Sequence, residues 1–262
     1  VSDANFEFGV IDVLELKNPH SVLAALKQRP HDVTEIRAGS ANLSPPWQDV
    51  VDAASAAGVS IVMRGSEPGR GRRQKQAGPK SERVGVASAH VHEPVGLKDP
   101  AGLFGTATEM SAESPGLWLA LDCLQDPHNV GAIFRTAAFF GVRGIVLTRD
   151  RSAPLNGTVL DVAAGGVEHV PFSVVPNLAR SLKVAKEAGL WLLGTSEHAS
   201  DSVGSITPDR PWLVILGNEE KGLRRLTLEQ CDLTCAIPPR GRVTSLNVST
   251  AAAVLISRLT SD

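Results

Sequence analysis

From residue 117 onward one alternation dominates the chain: short apolar runs, polar turns, then stretches with apolar positions at helical spacing. The runs at 117–121, 144–147, 170–172, 190–193, 212–216 and 234–237 predict strands. Helical spacing recurs at 130–140, 155–164, 178–188, about 223–230 and about 249–259. Strands alternating with helices predict an α/β domain with a mostly parallel sheet covered on both faces.

The first hundred residues mix the same signals less regularly. Helical spacing at 19–29 and 47–57 (the latter ending at Gly58) is interleaved with strand-like runs at 33–37, 59–63 and 84–88. This predicts a separate, small α/β module. Residues 105–116 (GTATEMSAESPG) are small, polar and patternless, the composition of a linker. The expected organisation is therefore 1–104, a linker at 105–116, and a second domain at 117–262.

Composition narrows the setting. With 42% hydrophobic and 21% charged residues, the chain reads as an ordinary soluble globular protein. Its apolar runs fall short of the ~20 residues needed to span a bilayer, and it opens on no signal peptide. It begins at Val1 rather than Met, which leaves room for a removed targeting segment. Cys123, Cys231 and Cys235 form an odd set that suits a reducing compartment, with the cytoplasm as the expected location. Cys231 and Cys235 lack a second ligand pair and read as buried thiols, with no metal expected. A net charge of −2 argues against an indiscriminate polyanion binder. It hides a basic stretch, 64–83, with seven Lys/Arg against two Glu. Arg70, Arg72, Arg73, Lys75 and Arg83 in that stretch could follow a phosphate backbone, or could simply be solvated.

Three strand-end stretches concentrate glycine, proline and polar side chains: 126–142 (DPHNVGAIFRTAAFFGV), 216–223 (LGNEEKGL) and 237–249 (IPPRGRVTSLNVS). Ligands of open parallel sheets bind outside the carboxyl ends of the strands, so three such stretches point to one composite site. Asn129 reads as the N-cap of a helix starting at Val130, and Gly141 as its terminator. Val130, Ile133, Phe134, Ala137 and Phe140 share a stripe that should pack on the sheet; Arg135 and Phe139 fall on the other side. A large apolar residue beside an Arg, away from the core, points to a second buried surface, most simply a dimer interface. Gly217 and Gly222 let the backbone around Asn218, Glu219, Glu220 and Lys221 approach a ligand. Thr244, Ser245, Asn247 and Ser249 gather polar groups at a helix N-terminus, which suits a polar ligand. The segment after the first strand, 122–131, holds one glycine, and no Walker A sequence is present. NAD enzymes, the common Rossmann-type methyltransferases and P-loop NTPases are therefore disfavoured.

Taken in order, D-P-x-N-x-G-x-x-x-R-T-A at 126–137, G-x-E-x-x-G at 217–222 and S-L-N-V-S at 245–249 resemble the motifs of the SpoU (TrmH/RlmB-type) RNA 2′-O-ribose methyltransferases. The resemblance covers about 117–259. More loosely, FGVIDVLELKNPHSVLAAL near the start resembles the ribosomal-protein-like RNA-binding domain of RlmB-type members. Many relatives carry His-Gln-Gly where this chain reads Glu82-Arg83-Val84-Gly85, a departure at an RNA contact. The resemblance implies a SPOUT fold, in which a parallel α/β domain ends in a trefoil knot, an obligate homodimer, and S-adenosyl-L-methionine as methyl donor. It makes Arg135 the central catalytic residue, with Asn129, Glu219, Ser245 and Asn247 arranging substrate and cofactor. The cofactor would be cradled around Thr195, Leu216, Gly217, Ile237, Ser245, Leu246 and Asn247.

The implied reaction is attack of a ribose 2′-oxygen on a sulfonium methyl. A guanidinium stays protonated at a pKa above ~12, so Arg135 is a poor base. Holding the adjacent phosphate and stabilising the developing alkoxide is the better role, with a phosphate oxygen or water taking the proton. The RNA-binding-like first domain favours large-subunit ribosomal RNA, at a guanosine ribose, over transfer RNA. The rivals are methylation of a base, a tRNA 2′-O-methyltransferase, a non-catalytic RNA-binding or ribosome assembly factor, and a protein-only interaction module.

Overall fold

The computed structural model describes residues 12–39, 43–63, 87–105 and 115–260. Arg70, Arg72, Arg73, Lys75 and Arg83 lie outside the described residues, as do most of the expected linker and the start of the strand expected at 84–88. The chain divides into two units, Val1–Glu93 and Pro94–Asp262.

The first unit is a four-stranded sheet of β1 (Val13–Leu16), β2 (Val33–Ala38), β3 (Ser60–Met63) and β4 (Ser88–His92), in the order β1-β4-β2-β3. β4 runs antiparallel to both of its neighbours, and β2 pairs in parallel with β3. Two helices, α1 (Pro19–Gln28) and α2 (Pro45–Ala56), pack on each other, and α1 lies against β1 and β4. Both begin at proline, which presets the helical φ and has no N–H to leave unsatisfied. The Asn18 side chain accepts from His20 N at 3.0 Å to complete the α1 start. β1 was not predicted, because four residues are too few to establish an alternation. β4 occupies 88–92 and meets the run expected at 84–88 at Ser88, with 84–86 outside the described residues.

The second unit holds β5 (Leu117–Leu121), β6 (Gly144–Thr148), β7 (Phe172–Val175), β8 (Trp191–Thr195), β9 (Trp212–Leu216) and β10 (Leu233–Cys235), in the order β10-β8-β9-β5-β6-β7. Every pairing is parallel. Every residue of β5, β6 and β9 is buried, as expected of strands with helices on both faces. One face is covered by α3 (Pro100–Phe104) and α7 (Leu178–Glu187), whose Leu103, Phe104, Leu178 and Leu182 pack with Trp118 and Ala120. Elsewhere, α4 (Pro127–Phe140) packs on α5 (Gly157–Ala163), α6 (Gly166–His169) and α9 (Val248–Thr260), and α9 also contacts β5. A short α8 (Arg225–Leu228) follows β9.

Residues 94–104, expected in the first domain, pack in the second. Trp118 Nε1 donates to Leu103 O at 3.0 Å, and Gly144 leaves the space that the Leu103 side chain fills. A five-residue helix gives too little periodicity to be read from sequence, so this anchor was invisible there. From β5 the chain steps outward to β6 and β7, then returns to build β8, β9 and β10 on the far side. The order reverses between β5 and β9, and ligands of such sheets bind outside the carboxyl ends at that reversal.

Candidate active site

All three polar stretches meet at this switch point. Asp122 N–H donates to Leu216 O at 2.8 Å, tying the end of β5 to the end of β9. The next residue, Cys123, takes a left-handed conformation at φ 61°, which costs a non-glycine residue roughly 1–2 kcal/mol. Two contacts hold it there: Cys123 N–H donates to Thr148 Oγ1 at 2.8 Å, and Asn218 Nδ2 donates to Cys123 O at 3.0 Å.

The first stretch forms α4. Its N-cap is Asp126, not Asn129: the Asp126 carboxylate accepts from His128 N at 2.9 Å, and Pro127 opens the helix. The helix therefore starts three residues before the position expected, and Asn129 is released from capping. Gly141 ends the helix at φ 70°, as expected. Gly131 serves packing, because a Cβ there would meet Val159 O and Val162 on α5.

The second stretch closes into a ring. Asn218 N–H donates to Gly222 O at 3.1 Å and Gly222 N–H to Asn218 O at 2.9 Å. The Asn218 Oδ1 accepts from the N–H groups of Glu220 and Lys221, both at 3.2 Å. A Cβ on Gly217 would overlap the Gly222 and Leu223 backbone, so only glycine closes the ring.

In the third stretch, residues 238–247 are exposed. Among the described residues, 237–246 make no hydrogen bond, which leaves a run of main-chain donors and acceptors open. The run ends at Asn247, which caps α9: its Oδ1 accepts from Ser249 N at 2.8 Å and Ser249 Oγ at 2.6 Å.

One hydrogen-bond relay joins the three. Asn247 Nδ2 donates to Asn129 Oδ1 at 2.9 Å, and Asn129 Nδ2 donates to Glu219 Oε1 at 3.2 Å. The amide orientations follow from the ends of the relay, a backbone N–H that can only donate and a carboxylate that accepts. Asn129 is buried, whereas Asn247 and Glu219 line the exposed side.

The other expected site residues are spread around this relay. Thr195 ends β8 and donates its hydroxyl to Ile215 O at 2.9 Å. Leu216 is buried and Ile237 partly so; Ser245 and Leu246 are exposed on the open loop. Arg135 is exposed and has no ion pair among the described residues. It lies six positions after Asn129 on α4, which places it about 9 Å along the helix and about 120° away in angle. It therefore stands apart from the relay and shares its side of the helix with Phe139, which is 82% exposed.

Sequence reasoning missed Asp122, Arg224 and Thr227. Asp122 is fully buried; Arg224 Nη2 lies 2.6 Å from its Oδ1, and Thr227 Oγ1 donates to its Oδ2 at 2.8 Å. Burial opposes the Arg224 charge, and the Asp122 carboxylate outweighs it, raising the guanidinium pKa. A carboxylate directly after five apolar strand residues was the available signal, because such a group must be paired. Cys235 is a buried thiol, as expected, whereas Cys231 is only partly buried; burial pushes both up to about 11.

The chain is similar to known proteins over both the region of these loops and most of its length. The profile of the SpoU rRNA Methylase family matches residues 116–257, the part of the chain that carries all three loops. The 23S rRNA (guanosine-2'-O-)-methyltransferase RlmB of Nitrosomonas europaea is 38% identical over 237 residues, covering 90% of this chain and 87% of that protein. The putative TrmH family tRNA/rRNA methyltransferase YacO of Bacillus subtilis is 42% identical over 150 residues, 57% of this chain and 60% of that protein. Among solved structures, the SpoU methyltransferase AviRb from Streptomyces viridochromogenes, in complex with AdoMet, superposes with a TM-score of 0.72 at 20% identity. That match covers 95% of this chain and 89% of AviRb, and it shows the shared fold. With its family-specific loops assembled at one switch point and relatives matched over nine-tenths of its length, the chain belongs to the SpoU rRNA methylase family.

Proposed function

We infer that the chain is an S-adenosyl-L-methionine-dependent RNA 2′-O-ribose methyltransferase acting as a homodimer on a guanosine of large-subunit ribosomal RNA. The observation that carries this reading is the Asn247–Asn129–Glu219 relay, which ties the three family loops into one site. The RlmB relative of Nitrosomonas europaea, matched over both units, supports the choice of 23S rRNA.

The residues present fit the cofactor. An adenosine and an amino-acid group need main-chain partners, and 237–246 offer them unused among the described residues. Thr195, Leu216, Gly217, Ile237, Ser245, Leu246 and Asn247 would hold the group there. When bound, it supplies a methyl already activated on sulfonium. The chain's task is then orientation and charge management. Arg135 binds the phosphate beside the target ribose and stabilises negative charge developing on the 2′-oxygen. The relay fixes Glu219 and Asn247 at the mouth of the site, while Ser245 faces the incoming ribose.

The reading includes a C-terminal knot. Its support is the return of the chain from β10, at one edge of the sheet, to α9 against α4 and β5 near the centre. For the dimer, the support is Phe139, exposed beside Arg135, which has no ion pair among the described residues, and stacked edge-on against Phe140 at 5.0 Å. Pairing through this face would bring Arg135 to the seam. The first unit is read as an RNA-binding domain, with Arg70, Arg72, Arg73, Lys75 and Arg83 following the backbone. The expected compartment is the cytoplasm; among the described residues no helix is long and apolar enough to cross a membrane.

The test is methyl transfer from labelled cofactor to ribosomal RNA, followed by alkaline hydrolysis. A 2′-O-methyl leaves one linkage uncleaved. A labelled product that hydrolyses at every linkage would instead mean base methylation. Transfer to tRNA alone would reassign the substrate, and no transfer to any RNA would leave a binding or assembly factor.

A further inference from the structure

Asp122 touches both ends of the second loop. Its N–H holds Leu216 O, immediately before Gly217, and its carboxylate holds Arg224 and Thr227, which follow Gly222. Between these anchors the loop is a closed ring, pinned by the reciprocal Asn218–Gly222 bonds and by the absence of room for a Cβ at Gly217. A ring closed in this way moves as one body, so its orientation is set where it is attached: at its two ends through Asp122, and from within by Asn218 Nδ2, which donates to Cys123 O at 3.0 Å. Glu219 is the side chain by which that ring reaches Asn129.

The Arg224 contact is an ion pair without aligned hydrogen-bond geometry, and the Arg224 side chain is 46% exposed while that of Asp122 is fully buried. Stability alone gives little reason for a carboxylate here. A buried ion pair is often no better for stability than apolar residues of similar volume. Its position at the switch point, gripping a loop that carries a site carboxylate, gives it a different reason to exist.

We propose that Asp122 and Arg224 are positioning residues whose ion pair fixes the second loop and thereby holds Glu219 on Asn129. The kinetic part of the test rests on the methyltransferase reading; the geometric part does not.

The experiment compares Arg224→Met, Arg224→Lys, Glu219→Ala and the Arg224→Met/Glu219→Ala double variant; alanine removes the acceptor that a glutamine would keep. The kcat for RNA methylation is measured, and the Asn129 side-chain NH2 signals are followed in 1H–15N spectra. Arg224→Met lowers kcat by about tenfold or more, and Arg224→Lys recovers most of the loss. The double variant is no slower than Glu219→Ala alone, because both substitutions act through one contact. Arg224→Met moves the Asn129 signals in the direction that Glu219→Ala moves them. Should Arg224→Met leave an orphaned buried carboxylate and fail to fold, Asp122→Asn/Arg224→Met removes that charge and takes its place. Multiplying kinetic effects, or unmoved Asn129 signals in a folded variant, would overturn the proposal. If the wild type transfers no methyl group, the functional reading fails by itself, and the Asn129 signals still decide the clamp.

Discussion

Asn247 Nδ2 lies 2.9 Å from Asn129 Oδ1, joining the first residue before α9 to the first turn of α4 across 118 positions of sequence. Each amide is used at both ends, so neither can be replaced by a group that only donates or only accepts. In Asn129→Asp one oxygen still accepts from Asn247, but the other faces the Glu219 carboxylate at about the present 3.2 Å. Two carboxylates that close raise the pKa of one of them. Turnover should fall by about 10–100-fold at pH 8 and recover partly towards pH 6, as a shared proton restores the bond. Asn129→Ala should lose activity with no such recovery. Parallel pH–rate profiles of the two variants decide the matter.

Arg135 is set apart from the relay, exposed and free of ion pairs among the described residues. It should therefore matter to the transferred group's acceptor and little to the cofactor. Arg135→Ala is expected to abolish methyl transfer while cofactor affinity, read by calorimetry, stays within about threefold. Arg135→Lys should keep less than about a tenth of the activity if the guanidinium fork grips a phosphate bidentately. A lysine variant with most of its activity would sink that role and leave only a point charge.

The strong periodicities were legible in the sequence, and the long-range polar contacts were not. Residues 117–121 and 212–216 were read with their observed bounds, because a fully buried parallel strand is a continuous apolar run between turns. The reading failed where signals were short or competed. Four-residue β1 and five-residue α3 had no usable period, and α3 shifted the division of the chain to Glu93/Pro94. Asn129 looked like a cap because amides favour that position, but Asp126 before Pro127 held the stronger claim. Family motifs brought Asn129, Glu219 and Asn247 into one list; their order in the relay, and Asp122 behind it, required the fold.

Phe139 carries the expectation of a dimer. At 82% exposure beside Phe140, it places a large aromatic surface in water, which a partner copy would cover. Phe139→Asp should shift the protein to monomer in sedimentation or light scattering, with little change in monomer stability, since the side chain contributes almost nothing to the core. If the variant keeps the wild-type mass, the seam lies elsewhere.

Arg240 and Arg242 are exposed on the open third loop, which carries no acidic residue between Ala236 and Asn247. The prediction is that each meets a phosphate of the RNA substrate. Counterion release then makes binding salt-dependent, and removing one phosphate contact lowers the slope of log K against log salt by roughly 0.7–0.9. Arg240→Ala and Arg242→Ala should each weaken RNA binding at low salt and flatten that slope, with cofactor affinity unchanged. An unaltered slope would return both side chains to the status of solvated charges.

Burial raises the Cys231 thiol from 9.0 to about 11, with a further push from Asp232, and raises Cys235 similarly, with Asp201 adding to it. The folded chain therefore holds these protons more tightly than the unfolded chain does. Their contribution to stability is complete below pH 9 and is lost as the pH climbs through about 11, because the unfolded thiols ionise first. Urea midpoints of the wild type should fall between pH 9 and 11 more steeply than those of Cys231→Ala/Cys235→Ala. At pH 8 the native thiols should resist iodoacetamide and react only after urea unfolding, since the thiolate is the nucleophile. Equal rates in native and unfolded protein would mean that these thiols are accessible and their protons unprotected.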